Sequence, residues 1–413
     1  MGVLWKFSAL DTLFFRDSRP MNAGETVWMA SQFPPTGQTL QGAIRTAVLN
    51  HLGIPYKDYL KKDTYQWLRE EIGDGKSLGR LSFTGPFLFK QDQPLFAVPL
   101  DLVKKTSEQT NEQTEYDLLS PAEKPVKSDL GDICFPTLPK EKTDYKLIKE
   151  CFVGLEGMQQ LLNGKSDRHL NKHLYPLFKK NAEENALACL EPKMGLARSN
   201  QTRKTEEGML FAIAPVRMAA DTALAIEVEN LDADHYPQNP FIQKLGGEGK
   251  MASISVGGQW RFPKHNLCEI GNRIRFKLVC VTPALMQTED WLPSEHVEKI
   301  KDNGRHIWRV QIKSDRLNII ANPISALLRP WRNEEIRSCS FDIVSACIGK
   351  PLRQSGWNHQ LKCPRKLRGF IPAGSVYFCE ADILQKDNIL KLHGKKIGQR
   401  TQYGFGQVLV GRW

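Results

Sequence analysis

The chain has 413 residues, of which 41% are hydrophobic and 25% are charged. This composition is typical of globular proteins, excludes a largely disordered or fibrous chain, and at this length favours two domains over one. The formal net charge of +11 favours polyanionic partners, and the absence of an apolar run long enough to cross a bilayer predicts no membrane partner.

The first predicted elements are a strand and a helix. Alternating apolar residues at Val3, Trp5, Phe7 and Ala9 predict a strand. Thr36 is a suitable N-cap for a helix that ends before Gly53. One face of this helix carries apolar residues at helical spacing, namely Leu40, Ala43, Ile44, Ala47 and Val48. Arg45 lies off this stripe, where it is either a phosphate donor or an ordinary surface charge.

The middle of the chain alternates between strand-like and polar stretches. RLSFTGPFLF (80–89) and PLFAVPLDLV (94–103) read as two strands joined by a short polar turn at 91–93. Residues from about 104 to 149 are polar and show little periodicity, which predicts a surface insertion. The basic segment 198–204 is either a solvated, self-paired hairpin or a projection that contacts a polyanion.

A weak internal repeat suggests how the domains are arranged. GGEGKMASISVGGQW (246–260) and GFGQVLVGRW (404–413) each contain a glycine-rich loop, a short β-branched strand, and glycine with tryptophan. We therefore predict an α+β protein of two tandem ferredoxin-like (RRM-like) domains, at 1–264 and 265–413. In the second domain's first strand, residues 274, 276, 278 and 280 form one apolar face. The opposite face, with Arg273, Arg275 and Lys277, either contacts RNA or is the solvated side of the sheet.

Six segments, taken together and in order, resemble a known family. They are LFFRDSRPMNAGE (13–25) with FPPTGQTLQGAIRTA (33–47), GLARSNQTRKTEEGMLF (195–211), LGGEGK (245–250), IPAGSVYF (371–378) and GFGQVLVG (404–411). This set resembles the RAMP superfamily of CRISPR proteins, and within it the third subunit of the Cmr module of type III-B effector complexes. One departure is Ser18, which stands where the family usually has glycine.

The resemblance implies a non-catalytic subunit in the cytoplasm that needs no cofactor and no metal. Such a subunit binds the 5′ repeat-derived tag of the guide RNA. It also connects the large polymerase-domain subunit to the backbone RAMP subunits in antiviral defence. The hairpin at 198–204 would then be a thumb that separates or kinks the RNA.

Residues suited to this task are arginines, lysines and glycines in loops, because glycine lets backbone N–H groups approach phosphates and arginine matches phosphate oxygens. A tyrosine or phenylalanine in the C-terminal loop, Tyr403 or Phe405, could stack on a base. Taken alone, either glycine-rich loop could also be an ordinary strand connection. The predicted RNA-binding residues are Arg16, Arg19, Arg45, Arg198, Arg203, Lys204, Gly246, Gly247, Gly249, Lys250, Arg400, Tyr403, Gly404 and Gly406. The basic run KCPRKLRG (362–369) is typical of a solvated loop or of a contact with a partner.

Two other functions remain open at this point, a metal-independent endoribonuclease that processes guide RNA and an adaptor that contacts only proteins. A ribonuclease needs a general base and acid. His393 is the better candidate for this role, because His51 falls on the apolar helix stripe and is expected to pack or cap. Asp11, Asp17 and Asp221 are too scattered to predict a metal site, and no GxxxxGK[ST] motif is present.

The nine cysteines are scattered and form no CxxC pair. This pattern indicates reduced thiols in a cytoplasm rather than a disulfide framework. His359 and Cys363 are close in sequence, but no second ligand pair accompanies them, so we interpret them as part of a loop without a metal.

Overall fold

The computed structural model describes residues 2–17, 28–75, 77–105, 114–138, 144–179, 185–237, 240–286, 291–293, 296–312, 339–358 and 360–413. Ser18, Arg19 and His359, for which the sequence analysis made predictions, lie outside these ranges. All nine cysteines lie within the ranges, and all are free thiols. No described helix is long and apolar enough to cross a membrane.

In the described ranges, the chain combines five α-helices with many short strands. The helices are α1 Gly37–His51, α2 Tyr56–Lys61, α3 Gln66–Ile72, α4 Leu155–Leu162 and α5 Lys386–Leu390. The strands up to residue 200 are β1 Val3–Ala9, β2 Thr12–Leu13, β3 Trp28–Ala30, β4 Ser82–Lys90, β5 Gln93–Ala97, β6 Leu102–Lys105, β7 Tyr116–Leu118, β8 Ser120–Pro121, β9 Val126–Ser128, β10 Gly131–Ile133, β11 Pro136–Thr137, β12 Tyr145–Leu147, β13 Cys151–Gly154, β14 Leu174–Pro176, β15 Ala188–Leu190 and β16 Lys193–Arg198.

The later strands are β17 Thr205–Ala214, β18 Val216–Met218, β19 Thr222–Glu229, β20 Phe241–Lys244, β21 Met251–Val256, β22 Cys268–Ile270, β23 Arg273–Cys280, β24 His296–Asp302, β25 Arg305–Ile312, β26 Cys339–Cys347, β27 Leu352–Gln354, β28 Trp357–Asn358, β29 Cys363–Pro364, β30 Arg368–Phe370, β31 Val376–Asp382 and β32 Val408–Gly411. Short 3-10 turns occur at Asp63–Tyr65, Arg168–His173, Ala233–His235, Ile383–Gln385 and Thr401–Tyr403.

The chain forms two compact units whose segments interleave. Unit 1 contains Met1–Leu95, Tyr175–Trp260 and Arg353–Gly369. Unit 2 contains Phe96–Leu174, Arg261–Leu352 and Phe370–Trp413. The sequence predicted one boundary near residue 265, and one of the observed crossings, at 260–261, lies close to it. The repeat at 246–260 and 404–413 did not reveal the other crossings, because it marks only where each unit ends.

Unit 1 is built on an antiparallel sheet in the order β5-β4-β19-β1-β21-β20. Its first strand, β1, therefore lies between β19 and the glycine-preceded strand β21. Trp5 and Phe7 alternate inward from β1 and are fully buried, as predicted. Strands β4 and β5 are joined by a tight turn at Gln91 and Asp92, both of which have positive φ, which suits a two-residue hairpin.

Helix α1 covers one face of this sheet. The five residues of the predicted apolar stripe are all buried, and α1 contacts β4 and β20. Full burial of a leucine or isoleucine side chain contributes about 1.5–3 kcal/mol, so this stripe is a major source of stability in unit 1. Thr36 takes the N-cap position with extended backbone, although its side chain makes no capping hydrogen bond.

Unit 2 contains a second antiparallel sheet, in the order β22-β23-β31-β26-β25-β24, with β32 also paired to β23. The last strand of this sheet, β32, pairs with β23, as β21 pairs with β1 in unit 1. The predicted apolar face of β23 is confirmed, because Ile274, Phe276, Leu278 and Cys280 are all fully buried in one core cluster.

The polar insertion at 104–149 belongs to unit 2 and forms short strand pairs, β6 with β7 and β12, β9 with β10, and β8 with β11. It is tied to the unit by two hydrogen bonds from the main sheet's strands: Ser345 Oγ donates to the Cys134 carbonyl at 2.6 Å, and His306 Nδ1 accepts the Asp132 N–H at 2.8 Å. These strands are too short for an alternating apolar pattern to be recognised in the sequence.

Candidate RNA interface

Phe14 lies in residues 14–17, here called the opening loop, and connects three of the segments that sequence analysis singled out. Its ring lies in a small core cluster with Met29 and Ile213, at the base of the β16–β17 hairpin. Its carbonyl accepts the Gly247 N–H at 2.8 Å. The structure therefore brings together the opening loop, the hairpin 193–214 and the glycine-rich loop 245–250 within unit 1.

The glycine-rich loop 245–250 is exposed at three of its four central residues. Gly246, Glu248 and Gly249 have positive φ and are exposed. Among the described residues, no acceptor is found for their N–H groups. Successive N–H groups in such a turn form a concave anion-binding arrangement. A Cβ on Gly246 would lie 2.4 Å from the Phe14 carbonyl oxygen, so close packing also requires glycine there.

Lys250 is held against β2, directly before the opening loop. Its Nζ donates to Thr12 Oγ1 at 2.8 Å and lies 3.9 Å from the Asp11 carboxylate. The Thr12 backbone N–H and the Arg217 guanidinium donate to Asp11, and these bonds lower the pKa of its carboxyl to about 2. Asp11 is therefore ionised at neutral pH and helps fix Lys250, whose charge lies beside the glycine-rich loop.

Arg16 is exposed at the end of the opening loop, where its backbone forms an isolated bridge with Ser31. The Phe15 N–H donates to Ser31 Oγ at 2.9 Å, and the Gln32 N–H donates to the Phe15 carbonyl at 2.8 Å. The backbone around Arg16 is thus fixed while its side chain is accessible. In the described part of the chain, Arg16 has no ion-pair partner.

The basic segment 198–204 forms the turn of an antiparallel hairpin between β16 and β17. Arg198 is the last residue of β16. Arg203 has positive φ, and its N–H donates to the Ser199 carbonyl at 2.9 Å. Arg203 and Lys204 are exposed at the tip, which agrees with a hairpin that projects positive charge.

The hairpin sheet β16-β17-β3 also carries an exposed apolar face that sequence analysis missed. Met194, Ala212 and Trp28 lie opposite each other across the three strands, so they share one face. Leu196, two residues from Met194, joins this face. The side chains of Trp28, Met194 and Leu196 are all exposed. Their spacing in sequence, 28 against 194–196, gave no signal of this juxtaposition.

Arg45 has a structural role. Its guanidinium donates to the backbone carbonyls of Ile72, Asp74 (3.1 Å) and Ser77 (2.9 Å). These bonds hold the loop that follows α3, and the same fork is not available to a phosphate. We therefore leave Arg45 out of the RNA-binding set.

The C-terminal glycine-rich loop in unit 2 is packed rather than open. The Gly404 N–H donates to Thr401 and the Gly406 N–H to Pro283, both at 2.9 Å. The prediction that Phe405 stacks on a base is wrong, because its ring is buried against Phe370 at 4.7 Å. Gly404 and Gly406 therefore fit the alternative that this loop is an ordinary connection between strands. Arg400 and Tyr403 are half-buried and stay predicted contacts.

The basic face of β23 is exposed at Arg273 and Arg275, as the solvated-side alternative expects, but it is buried at Lys277. Lys277 is only 1% exposed and forms an ion pair with Asp101, so both alternatives considered for it, RNA contact and solvent exposure, are wrong. Arg273 and Arg275 contact Glu380 at 3.6 and 3.1 Å. The sequence could not reveal these partners, because they lie on distant segments.

His393, the candidate catalytic base, has both ring nitrogens occupied. Nδ1 accepts the Val410 N–H at 3.1 Å, so Nε2 carries the proton and donates to the Pro263 carbonyl at 2.7 Å. Burial is the main reason why the pKa of His393 is lowered. His51, the last residue of α1, is exposed, and its Nε2 lies 3.3 Å from the Asp234 carbonyl oxygen.

We expect the lowered pKa of His393 to make unit 2 less stable in mild acid. Between the lowered folded pKa and the ordinary value of 6.5, the unfolded chain binds more protons, so stability falls as pH drops through this window. Urea unfolding at pH 7.5 and pH 5.5 measures the difference. In His393→Gln, this contribution to the difference should disappear, and an unchanged difference would show that other groups cause it.

Glu71, Asp232 and His235 form the one grouping with metal-ligand spacing among the described residues. Glu71 is buried, and its Oε2 lies 2.8 Å from His235 Nδ1. The Arg80 guanidinium lies 2.6 Å from Asp232 and 3.4 Å from Glu71, so positive charge is already present in the cluster. An internal ion network explains these contacts without a metal.

The family of the chain follows from comparison with known families. Residues 5–413 match the family described as CRISPR-associated protein (Cas_Cmr3). The chain belongs to this Cas_Cmr3 family. This match confirms the recognition made from the six ordered segments, a Cmr-type subunit of type III-B CRISPR effector complexes.

Solved structures similar to this Cas_Cmr3 chain come from CRISPR complexes. A chain of the cryo-EM structure of the type III-B Cmr-beta complex bound to cognate target RNA and AMPPnP has 14% identity, a TM-score of 0.46, and coverage of 92% of this chain and 86% of that chain. A chain of the Csm3-Csm4 subcomplex in the type III-A CRISPR-Cas interference complex has 10% identity, a TM-score of 0.34, and coverage of 91% and 92%. No curated protein matches the chain.

Proposed function

We propose that the chain is a non-catalytic, cytoplasmic subunit that binds the 5′ tag of the guide RNA through unit 1. The observation that carries this proposal is the exposed loop 246–249 beside Lys250, in which the N–H groups of residues 246, 248 and 249 have no acceptor among the described residues. Arg16 and the basic hairpin tip at 203–204 extend the positively charged edge. Single-stranded RNA needs such phosphate contacts together with apolar surfaces for its bases.

We further propose that each unit is a ferredoxin-like module. In unit 1 the order β4-β19-β1-β21 places the last strand beside the first and the third strand between the first and second. In unit 2 the order β26-β31-β23-β32 repeats this arrangement. The same antiparallel order in both units supports a βαββαβ plan used twice.

The exposed face of Trp28, Met194 and Leu196 suits contact with another protein, because aromatic residues and methionine are enriched in protein interfaces. We assign this face to a neighbouring subunit, either the large polymerase-domain subunit or a backbone RAMP subunit. We propose that the other kind of subunit binds a different surface, so that the chain connects the two while it holds the tag. The occupied nitrogens of His393 favour this scaffold over the ribonuclease alternative.

We expect the affinity of the purified chain for tag RNA to fall steeply with salt. Neutralising about four phosphates gives a slope near −3 in a plot of log K against log salt concentration, because single strands release about 0.7 counterion per contact. Fluorescence anisotropy between 50 and 300 mM salt measures the slope. A flat response would contradict RNA binding and favour the protein-only adaptor.

Incubating the chain with labelled repeat RNA tests the ribonuclease alternative. The proposal predicts that the RNA stays intact. Specific cutting that disappears in His393→Ala would overturn it.

A further inference from the structure

The segment 353–369 is the strongest feature that the proposed tag contact does not use. It contains five basic residues and no acidic one: Arg353, Lys362, Arg365, Lys366 and Arg368. In the described part of the chain, the first four of these form no ion pair. Elsewhere in the protein, basic residues such as Lys90, Arg217 and Arg275 are paired with carboxylates. Four basic side chains of the segment are therefore not compensated by a carboxylate in the described part of the chain.

The segment also presents a large aromatic side chain to solvent. Strands β28 and β29 form a short hairpin in which Trp357 lies opposite Pro364. Trp357 is 54% exposed, and Leu361 and Leu367 are exposed as well. Trp357 is therefore an exposed aromatic side chain in a segment that also carries four unpaired cations.

Hydrogen bonds within the hairpin fix its conformation. Asn358 is buried, and its Oδ1 accepts the N–H groups of Gln360 and Leu361 at 3.0 and 3.1 Å. The Arg365 N–H donates to the Gly356 carbonyl at 2.7 Å. These bonds define the turn and therefore the position of Trp357.

A second set of bonds anchors the hairpin to unit 1. Asn358 Nδ2 donates to the Gly75 carbonyl at 3.2 Å. Gly75 lies in the loop that Arg45 holds through the carbonyls of Asp74 and Ser77. The hairpin is thus anchored by the buried Asn358 to a loop that the half-buried Arg45 holds in place.

We propose that the hairpin 353–369 is a second contact for single-stranded RNA, which is separate from the tag-binding loop and independent of sequence. A base stacks on Trp357, and the adjacent phosphates contact Lys362 and Lys366. Exposed lysines beside an exposed aromatic ring are the combination by which proteins hold single strands without reading their sequence. The proposal rests on the RNA-binding function inferred above, and it adds a site to it.

The charge of the hairpin favours RNA over a protein as its binding partner. Five positive charges within 17 residues, without an acidic residue, suit a polyanion with regularly spaced phosphates. The cores of protein interfaces are depleted in lysine, whereas here lysines flank the tryptophan. An acidic protein surface is the competing outcome of the test.

The test uses the full-length chain and two RNAs of equal length and composition, one with the tag and one with the tag nucleotides scrambled. Lys362→Ala/Lys366→Ala should make the salt slope less negative by about 1.4 for both RNAs, since each lost contact removes about 0.7. Trp357→Ala should weaken both by about tenfold, and Trp357→Phe should restore most of the affinity. Lys57→Ala/Lys61→Ala, on the exposed part of α2, is the matched charge control and should change neither RNA.

The two proposals fail in different ways. Equal affinity of the unmodified chain for both RNAs contradicts tag recognition but leaves the hairpin contact intact. If the hairpin variants bind both RNAs as tightly as the unmodified chain, the hairpin proposal is wrong. It is also wrong if the variants lose only the complex subunits that co-purify with the chain. Thermal unfolding of each variant shows whether a loss of binding comes from misfolding, and Trp357→Phe keeps the test decisive if Trp357→Ala unfolds.

Discussion

Replacing Lys277 by methionine is expected to lower the free energy of unfolding of unit 2 by about 3–5 kcal/mol. Lys277 and Asp101 are each 1% exposed and form an ion pair, and Asp101 Oδ1 has no other hydrogen-bond partner among the described residues. The substitution leaves a buried carboxylate without its counter-charge, and burial of an unpaired charge is among the most costly changes in a protein interior. Urea unfolding of the full chain measures the loss.

Two further variants identify the cause of this loss. Lys277→Met/Asp101→Leu removes both charges and should recover most of the stability, because a buried ion pair is often replaceable by apolar side chains. Lys301→Met is the matched control on β24, where Lys301 lies 3.4 Å from Asp132 but both groups are more exposed. We expect it to cost about 0–1 kcal/mol. A double variant as unstable as Lys277→Met would show that packing, not charge, is responsible.

Replacing Gly246 by alanine is expected to weaken tag RNA binding by at least about tenfold. The new Cβ would lie 2.4 Å from the Phe14 carbonyl oxygen, which belongs to the backbone and cannot rotate away. Gly246 also has a φ of +80, where a side chain costs about 1–2 kcal/mol. The loop must therefore move off the opening loop, and the N–H groups lose their fixed position.

Gly249→Ala is the matched control in the same loop. Gly249 has a φ of +64, but nothing lies within 4 Å of an added Cβ, so only the conformational cost remains. Anisotropy with tag RNA should then show a much smaller loss for Gly249→Ala than for Gly246→Ala. Equal losses would mean that contact with Phe14 is not what positions the loop.

Local patterns were sufficient to predict the elements whose burial depends on a regular period. The apolar stripe of α1 and the alternating face of β23 both face cores, because periodic burial is a local property of a helix or strand. The repeat of glycine-rich loop and strand was also informative, since β21 pairs with β1 and β32 pairs with β23 in corresponding ways.

The failures concern partners that are distant in sequence. The sequence pattern places Lys277 on a polar face of β23, and its contact with Asp101 is visible only in the folded structure. Phe405 reads as an exposed loop aromatic until Phe370 packs on it from another strand. The donors of Gly404 and Gly406 were expected to be open because glycine-rich loops are often exposed, but here their acceptors lie at Thr401 and Pro283. No period or spacing encodes such pairings.

The interleaving of the two units has a consequence for how the protein is made on the ribosome. Unit 1 needs the hairpin that ends at Gly369, because Asn358 bonds to Gly75, so its assembly cannot be completed during synthesis of the first 260 residues. In unit 2, Asp101 is the counter-charge of Lys277. The segment 96–174 therefore cannot complete its packing until β23 has been synthesised. Expression of the chain as two fragments cut at 264 would therefore separate each unit from part of itself, and both fragments should be insoluble unless they are produced together.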